Sequence, residues 1–252
     1  MPIVELNCGT PIMALLDDVL NGCGGRDRWD RFDHFEAHLS LSGSYLASKV
    51  DLASLKEIVV FGSTRLQTAD VIGLLASSRR GICGADWVGI ESAGGSLVRE
   101  QSVASTDFVK LGSKDRWTDL DVVFYCGISI WNVVNCLFGL ADRASTIEEV
   151  TPFSADGEVW RRLRISIPPA LATEAREQVL YFDAQSQHRR TDYIRSDLIG
   201  GPIAHILTAH EAFSGIVLPT LRRSWFIEPD GTLVRKVIPF DLEIFDLRFS
   251  KA

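Results

Sequence analysis

The sequence predicts an α+β fold in which a curved antiparallel β-sheet, an unclosed barrel, wraps around apolar helices. Three observations carry this expectation. An alternating segment opens near residue 34, turn signals recur at strand-length intervals from there towards the C-terminus, and one uncharged helical run interrupts them near the middle.

Thr10-Pro11 is followed by Ile12, Leu15, Leu16, Val19 and Leu20 at helical spacing, and proline suits a first helical turn. Gly22, Gly24 and Gly25 predict that this helix stops near Cys23. The period then changes. Phe35, Ala37, Leu39 and Leu41 alternate with Glu36, His38, Ser40 and Ser42, which is the two-residue repeat of a half-buried strand. Turns are expected at Ser92-Ala93-Gly94-Gly95, Ser154-Ala155-Asp156-Gly157, Asp183-Ala184-Gln185-Ser186 and Glu228-Pro229-Asp230-Gly231, because glycine supplies positive φ and Asp and Pro preset the neighbouring angles. The strands they separate are expected over 34–48, 56–63, 67–75, 86–91, 96–102, 146–153, 158–167, 177–183, 188–197, 203–211, 216–227 and 239–249.

Val122 to Leu140 is a run of nineteen residues without a charge, about the length that spans a bilayer. Ser129, Asn132 and Asn135 break its apolar surface. Asp119, Asp121 and Asp142 lie closer to its ends than Arg116 and Arg143, so a buried helix is favoured over a span. Thr118, three residues before Asp121, is placed to cap it. With no repeat, low-complexity linker or charge block, residues 1–252 read as one domain.

Composition narrows the function. The chain is 46% hydrophobic and 23% charged, with a formal net charge of −7, which argues against a nucleic-acid or anionic-membrane partner. The first twenty residues carry no basic residue ahead of an apolar stretch, and the five cysteines form no CxxC pair. Free thiols, a cytoplasmic location and no secretory signal are therefore expected. No Walker loop, GxGxxG, GxSxG or zinc-deaminase signature is present, so no cofactor is expected; nor does any histidine spacing complete a metal site.

The helix end Gly24-Gly25-Arg26-Asp27-Arg28-Trp29, followed by an alternating strand, resembles the start of the lipoprotein-carrier half-barrels of the LolA/LppX-like superfamily. That resemblance implies an unclosed antiparallel barrel over helices, with an apolar cavity for lipid acyl chains. Those carriers are exported, whereas a cytoplasmic chain is expected here. Gln178–Asp183, His188–Tyr193, Ala204-His205 and Pro219–Arg223 resemble an uncharacterised bacterial family of about this length, which implies kinship and no activity.

Candidate site residues come from three elements. On the strand after Asp183, regular alternation puts His188, Arg190, Asp192 and Ile194 on one face and Arg189, Thr191, Tyr193 and Arg195 on the other. A His188–Asp192 pair could hold a tautomer for acid–base work, or both could belong to a solvated ion ladder. Tyr193 and His205 are candidate hydrogen-bond donors to a ligand. Of Arg222 and Arg223, one must point inward, where it pairs with Glu177 or Asp192 or meets an anionic ligand group. On the central helix, Tyr125, Ser129, Asn132 and Cys136 recur on one side; Tyr125, Ser129, Asn132 and the neighbouring Trp131 line a ligand, or serve as satisfied core polar groups.

Together these predict a largely apolar small-molecule ligand and a cofactor-free cyclisation or isomerisation in a biosynthetic pathway, with Tyr193, His205, Arg222, His188 and Asp192 as the catalytic groups. The alternative is a non-catalytic carrier or sensor of a lipid-like ligand. A homo-oligomer is compatible with either.

Overall fold

A computed structural model describes residues 13–75, 79–155, 157–196 and 198–251. The chain opens on α1 (Met13–Gly22) and a single turn, α2 (Arg26–Trp29). Thr10 and Pro11, expected to start α1, lie outside the described residues, as does Cys8. Gly24 and Gly25 end α1 with φ of 113° and 84°; a Cβ on Gly24 would fall 2.2 Å from the Gly215 carbonyl oxygen. Trp29, 1% exposed, stacks on Phe138 at 4.9 Å.

The first run of strands is β1 (His34–Ser42), β2 (Ile58–Ser63), β3 (Thr68–Ile72), β4 (Arg79–Gly84), β5 (Trp87–Ser92) and β6 (Leu97–Ser102), with α3 (Ser44–Lys49) after β1. Then come α4 (Asp107–Lys110), α5 (Asp119–Val134) and α6 (Phe138–Ala141). The second run is β7 (Thr146–Ala155), β8 (Glu158–Ser166), β9 (Glu177–Phe182), β10 (His188–Ser196), β11 (Gly201–Phe213), β12 (Ile216–Ile227), the short β13 (Leu233–Val234) and β14 (Asp241–Ser250).

All of these strands join one antiparallel sheet in the order β6-β5-β4-β3-β2-β1-β14-β12-β11-β10-β9-β8-β7, with β13 pairing only β12. The sheet is large and unclosed. β1 to β6 run outward to one edge, β7 to β12 return inward from the other, and β14 joins the halves by pairing both β1 and β12. The chain must therefore cross from one edge to the other between β6 and β7, and the helices lie in that crossing. α5 packs over β2 to β5. Thr118 caps it in a reciprocal box: its N–H donates to Asp121 Oδ2 at 2.9 Å, and the Asp121 N–H donates back to Thr118 Oγ1 at 3.3 Å.

Two expectations needed correction. The strand expected over 34–48 stops at Ser42, because Gly43 takes φ 121° against the Pro239 carbonyl and α3 begins. β4 lies outside the strands the sequence predicts: its glycines weaken the β signal, yet Gly81 is where Val123 of α5 approaches, a Cβ there falling 2.4 Å from a Val123 methyl. No helix among the described residues is long and apolar enough to cross a membrane.

Candidate functional site

Cross-strand partners in an antiparallel ladder present side chains to the same face. Thr191, His205 and Ser224 are such a row, and Leu207, Arg222 and Leu242 are another. His205, Arg222 and Leu242 of these rows line a cavity of about 50 Å³ against α5. Leu41, Phe108, Ile130, Val133, Phe240 and Leu242 give it apolar walls, and Tyr125, Ser129, Asn132, Glu174, Tyr193, His205, Arg222 and Asp241 supply its polar spots, Asp241 with its carboxylate on Arg223. On α5 the half-buried residues Ser129, Asn132 and Val133 all lie on this side. A wider groove on the opposite face of the sheet is an open saddle among charged side chains such as Glu36, Asp70, Arg80 and Arg248, and is the weaker candidate.

Arg222, 9% exposed, points into the cavity and its Nη2 donates to the Tyr193 phenol at 2.9 Å. Among the described residues it has no carboxylate within ion-pair distance; its neighbour Arg223 takes Asp241 on the other face, at 3.2 Å. The Tyr193 ring lies 4.6 Å from the His205 ring. His205 is 4% exposed, and its Nε2 has no hydrogen-bond partner among the described residues. Burial, reinforced by the Arg222 charge, drives the His205 pKa well below that of a free imidazole. Burial likewise raises the Tyr193 phenol despite Arg222. Asn132 donates to the Ala172 carbonyl at 3.1 Å and accepts from Gln67 at 3.0 Å, so this amide is satisfied within the protein.

His188 does not meet Asp192. A bulge between His188 and Arg190 shifts the register of β10, so His188 turns to the Thr191 face and shares a 2.8 Å hydrogen bond with Thr191. It borders a smaller void of about 10 Å³ that shares Arg222 and Val133 with the main cavity. Asp192 stays on the opposite face, where it accepts from Arg190 Nε and Nη2, at 2.5 and 2.9 Å, and from the Tyr181 phenol at 2.6 Å. Neither Asp192 nor Glu177 pairs with Arg222, so of the alternatives for that arginine the structural pairing is not found, and the His188–Asp192 pair is corrected. Trp131 is corrected as well. It is fully buried and its Nε1 donates to the Ser63 carbonyl at 2.7 Å, away from the cavity. Glu174, in the buried loop before β9, escaped sequence reasoning because an irregular loop has no period; it accepts from Ser196 Oγ at 2.6 Å.

The two buried histidines make stability pH-dependent. His188 is pushed down to about 3 by burial, then by Arg222. Such a base is neutral when folded, so the stability is complete above the unfolded value near 6.5 and is lost as pH falls toward the folded value. The urea midpoint is expected to drop between pH 6.5 and 5, with a slope of about 1.4 kcal/mol per pH unit for each of the two histidines. A His188→Leu/His205→Leu protein should lose that slope, and an unchanged slope would count against the neutral buried pair.

No protein-family model and no curated protein matches the chain. Among solved structures, a LolA superfamily protein from Nitrosomonas europaea is 11% identical, with alignment over 97% of this chain and 96% of that one and a TM-score of 0.57. The chain has a LolA-like fold. A DUF1329 family protein from Desulfovibrio piger is 14% identical over 96% of this chain and 94% of its own, with a TM-score of 0.49. At these identities the LolA-like likeness extends to the architecture alone. The cavity then lies between α5 and the β10–β12 half of that architecture.

Proposed function

We propose that the chain is a non-catalytic carrier or sensor of a lipid-like ligand, held between α5 and the sheet that curves around it. One observation carries this reading: an apolar-walled cavity ends on a buried arginine that has no carboxylate partner among the described residues. The resemblance to lipoprotein carriers points the same way. Cyclisation or isomerisation draws less support: Tyr193, His205 and Arg222 could donate hydrogen bonds to a carbonyl, but the candidate acid–base pair His188–Asp192 is split between two sheet faces and burial makes His205 a weak base.

The cavity, at about 50 Å³, is well below the roughly 300 Å³ at which drug-sized pockets begin. Binding therefore requires α5 and β10–β12 to part, and filling the space should block it. Val133→Phe, on the cavity side of α5, is expected to weaken binding of a fluorescent long-chain probe about tenfold with little change in melting temperature. Native mass spectrometry of freshly purified protein should also find a co-purified apolar ligand. Undiminished probe binding by Val133→Phe would place the ligand elsewhere, and failure of any long-chain probe to bind the native chain would end the carrier reading.

A further inference from the structure

We propose that the group seated against Arg222 is a carboxylate, and hence that the ligand is a long-chain carboxylic acid. This deepens the binding reading above and rests on it. Arg222 is 9% exposed and spends Nη2 on a neutral phenol, with no carboxylate in ion-pair range among the described residues. A buried guanidinium without a counter-ion costs several kcal/mol, and an anion arriving with the ligand offsets that.

The neighbouring groups fit one planar anion. The Tyr193 oxygen already accepts from Arg222, which leaves its own O–H to donate. His205 Nε2 is buried beside Tyr193 with no partner among the described residues. Held neutral, the ring can present an N–H without adding a second positive charge. Guanidinium, phenol and imidazole thus supply donors for the two oxygens of a carboxylate. A phosphate monoester suits the site less well, since it brings more oxygens and a second negative charge into a cavity of about 50 Å³ that Glu174 also lines. An alcohol or ester leaves the arginine charge uncompensated.

The test compares three probes of equal chain length, hexadecanoate, hexadecanol and hexadecyl phosphate, titrated into the delipidated full chain. Hexadecanoate is expected to bind about tenfold more tightly than hexadecanol and no more weakly than the phosphate. In Arg222→Met the preference of acid over alcohol should vanish while hexadecanol affinity stays within about threefold. Tyr193→Phe should narrow the preference without abolishing hexadecanol binding. Melting curves confirm that each variant is folded. Equal affinity for acid and alcohol in the native chain, or a preference for the phosphate, overturns the carboxylate assignment and leaves lipid binding standing. If none of the three binds, the carrier reading falls as well.

Discussion

Gly127→Leu is expected to lower the unfolding free energy by about 3 kcal/mol or more, read as a shifted urea midpoint. Glycine inside a helix costs about 1 kcal/mol relative to alanine, so its presence in α5 needs a packing reason. A Cβ at Gly127 would lie 2.3 Å from Cys83 Sγ and 3.3 Å from the Ala69 methyl. Across the same contact, Gly81 of β4 makes room for Val123 of α5. The helix is thus seated on β3 and β4 by two glycines, one on each partner. A leucine must push α5 off the sheet or force Cys83, Ala69 and Val71 from their positions. Because the other side of α5 carries Ser129, Asn132 and Val133 into the cavity, the displacement should also weaken ligand binding. A Gly127→Leu protein with an unchanged midpoint would mean that α5 does not sit this close to the sheet.

Gly127 and Gly81 also show what could be read from the sequence. Periodicity revealed the longer elements whose burial is one-sided: Phe35 to Leu41 alternate in the sequence and in the structure, and Thr118 caps α5 where the Thr-to-Asp spacing placed it. β4 stayed hidden because Arg79, Arg80, Gly81 and Gly84 give neither alternation nor β propensity; its pairing is imposed by β3 and β5 on either side. The α5 stripe of Tyr125, Ser129 and Asn132 was legible from helical spacing. The faces of β10 were not, since the bulge at Arg189 moves His188 onto the Thr191 face. A bulge has no reliable single-residue signal, and every parity argument across one inverts. Glu174 and the partners of Arg222 depend on contacts between distant segments, which no local pattern carries.

The two buried arginines on β10 and β12 should respond oppositely to mutation, and the contrast separates a structural charge from a binding one. Arg190, 7% exposed, is clamped by Asp192 and lies over the Tyr181 and Phe153 rings at 4.9 and 5.5 Å. Removing its carboxylate with Asp192→Ala strands a buried charge, and a loss of about 3–5 kcal/mol in unfolding free energy is expected. Arg222 is about as buried and, among the described residues, has no carboxylate to lose. Replacing it with methionine removes a desolvated charge and keeps most of the side-chain volume, so stability should be unchanged or rise by about 1 kcal/mol or more. Denaturant titration of the two variants beside the native chain measures both effects. If Arg222→Met were as damaging as Asp192→Ala, the guanidinium would be holding the fold together through Tyr193, and its freedom to receive a ligand would be lost. A neutral or stabilising result, beside a damaged Asp192→Ala, means that the fold does not need the charge at Arg222, as the proposed anion site requires.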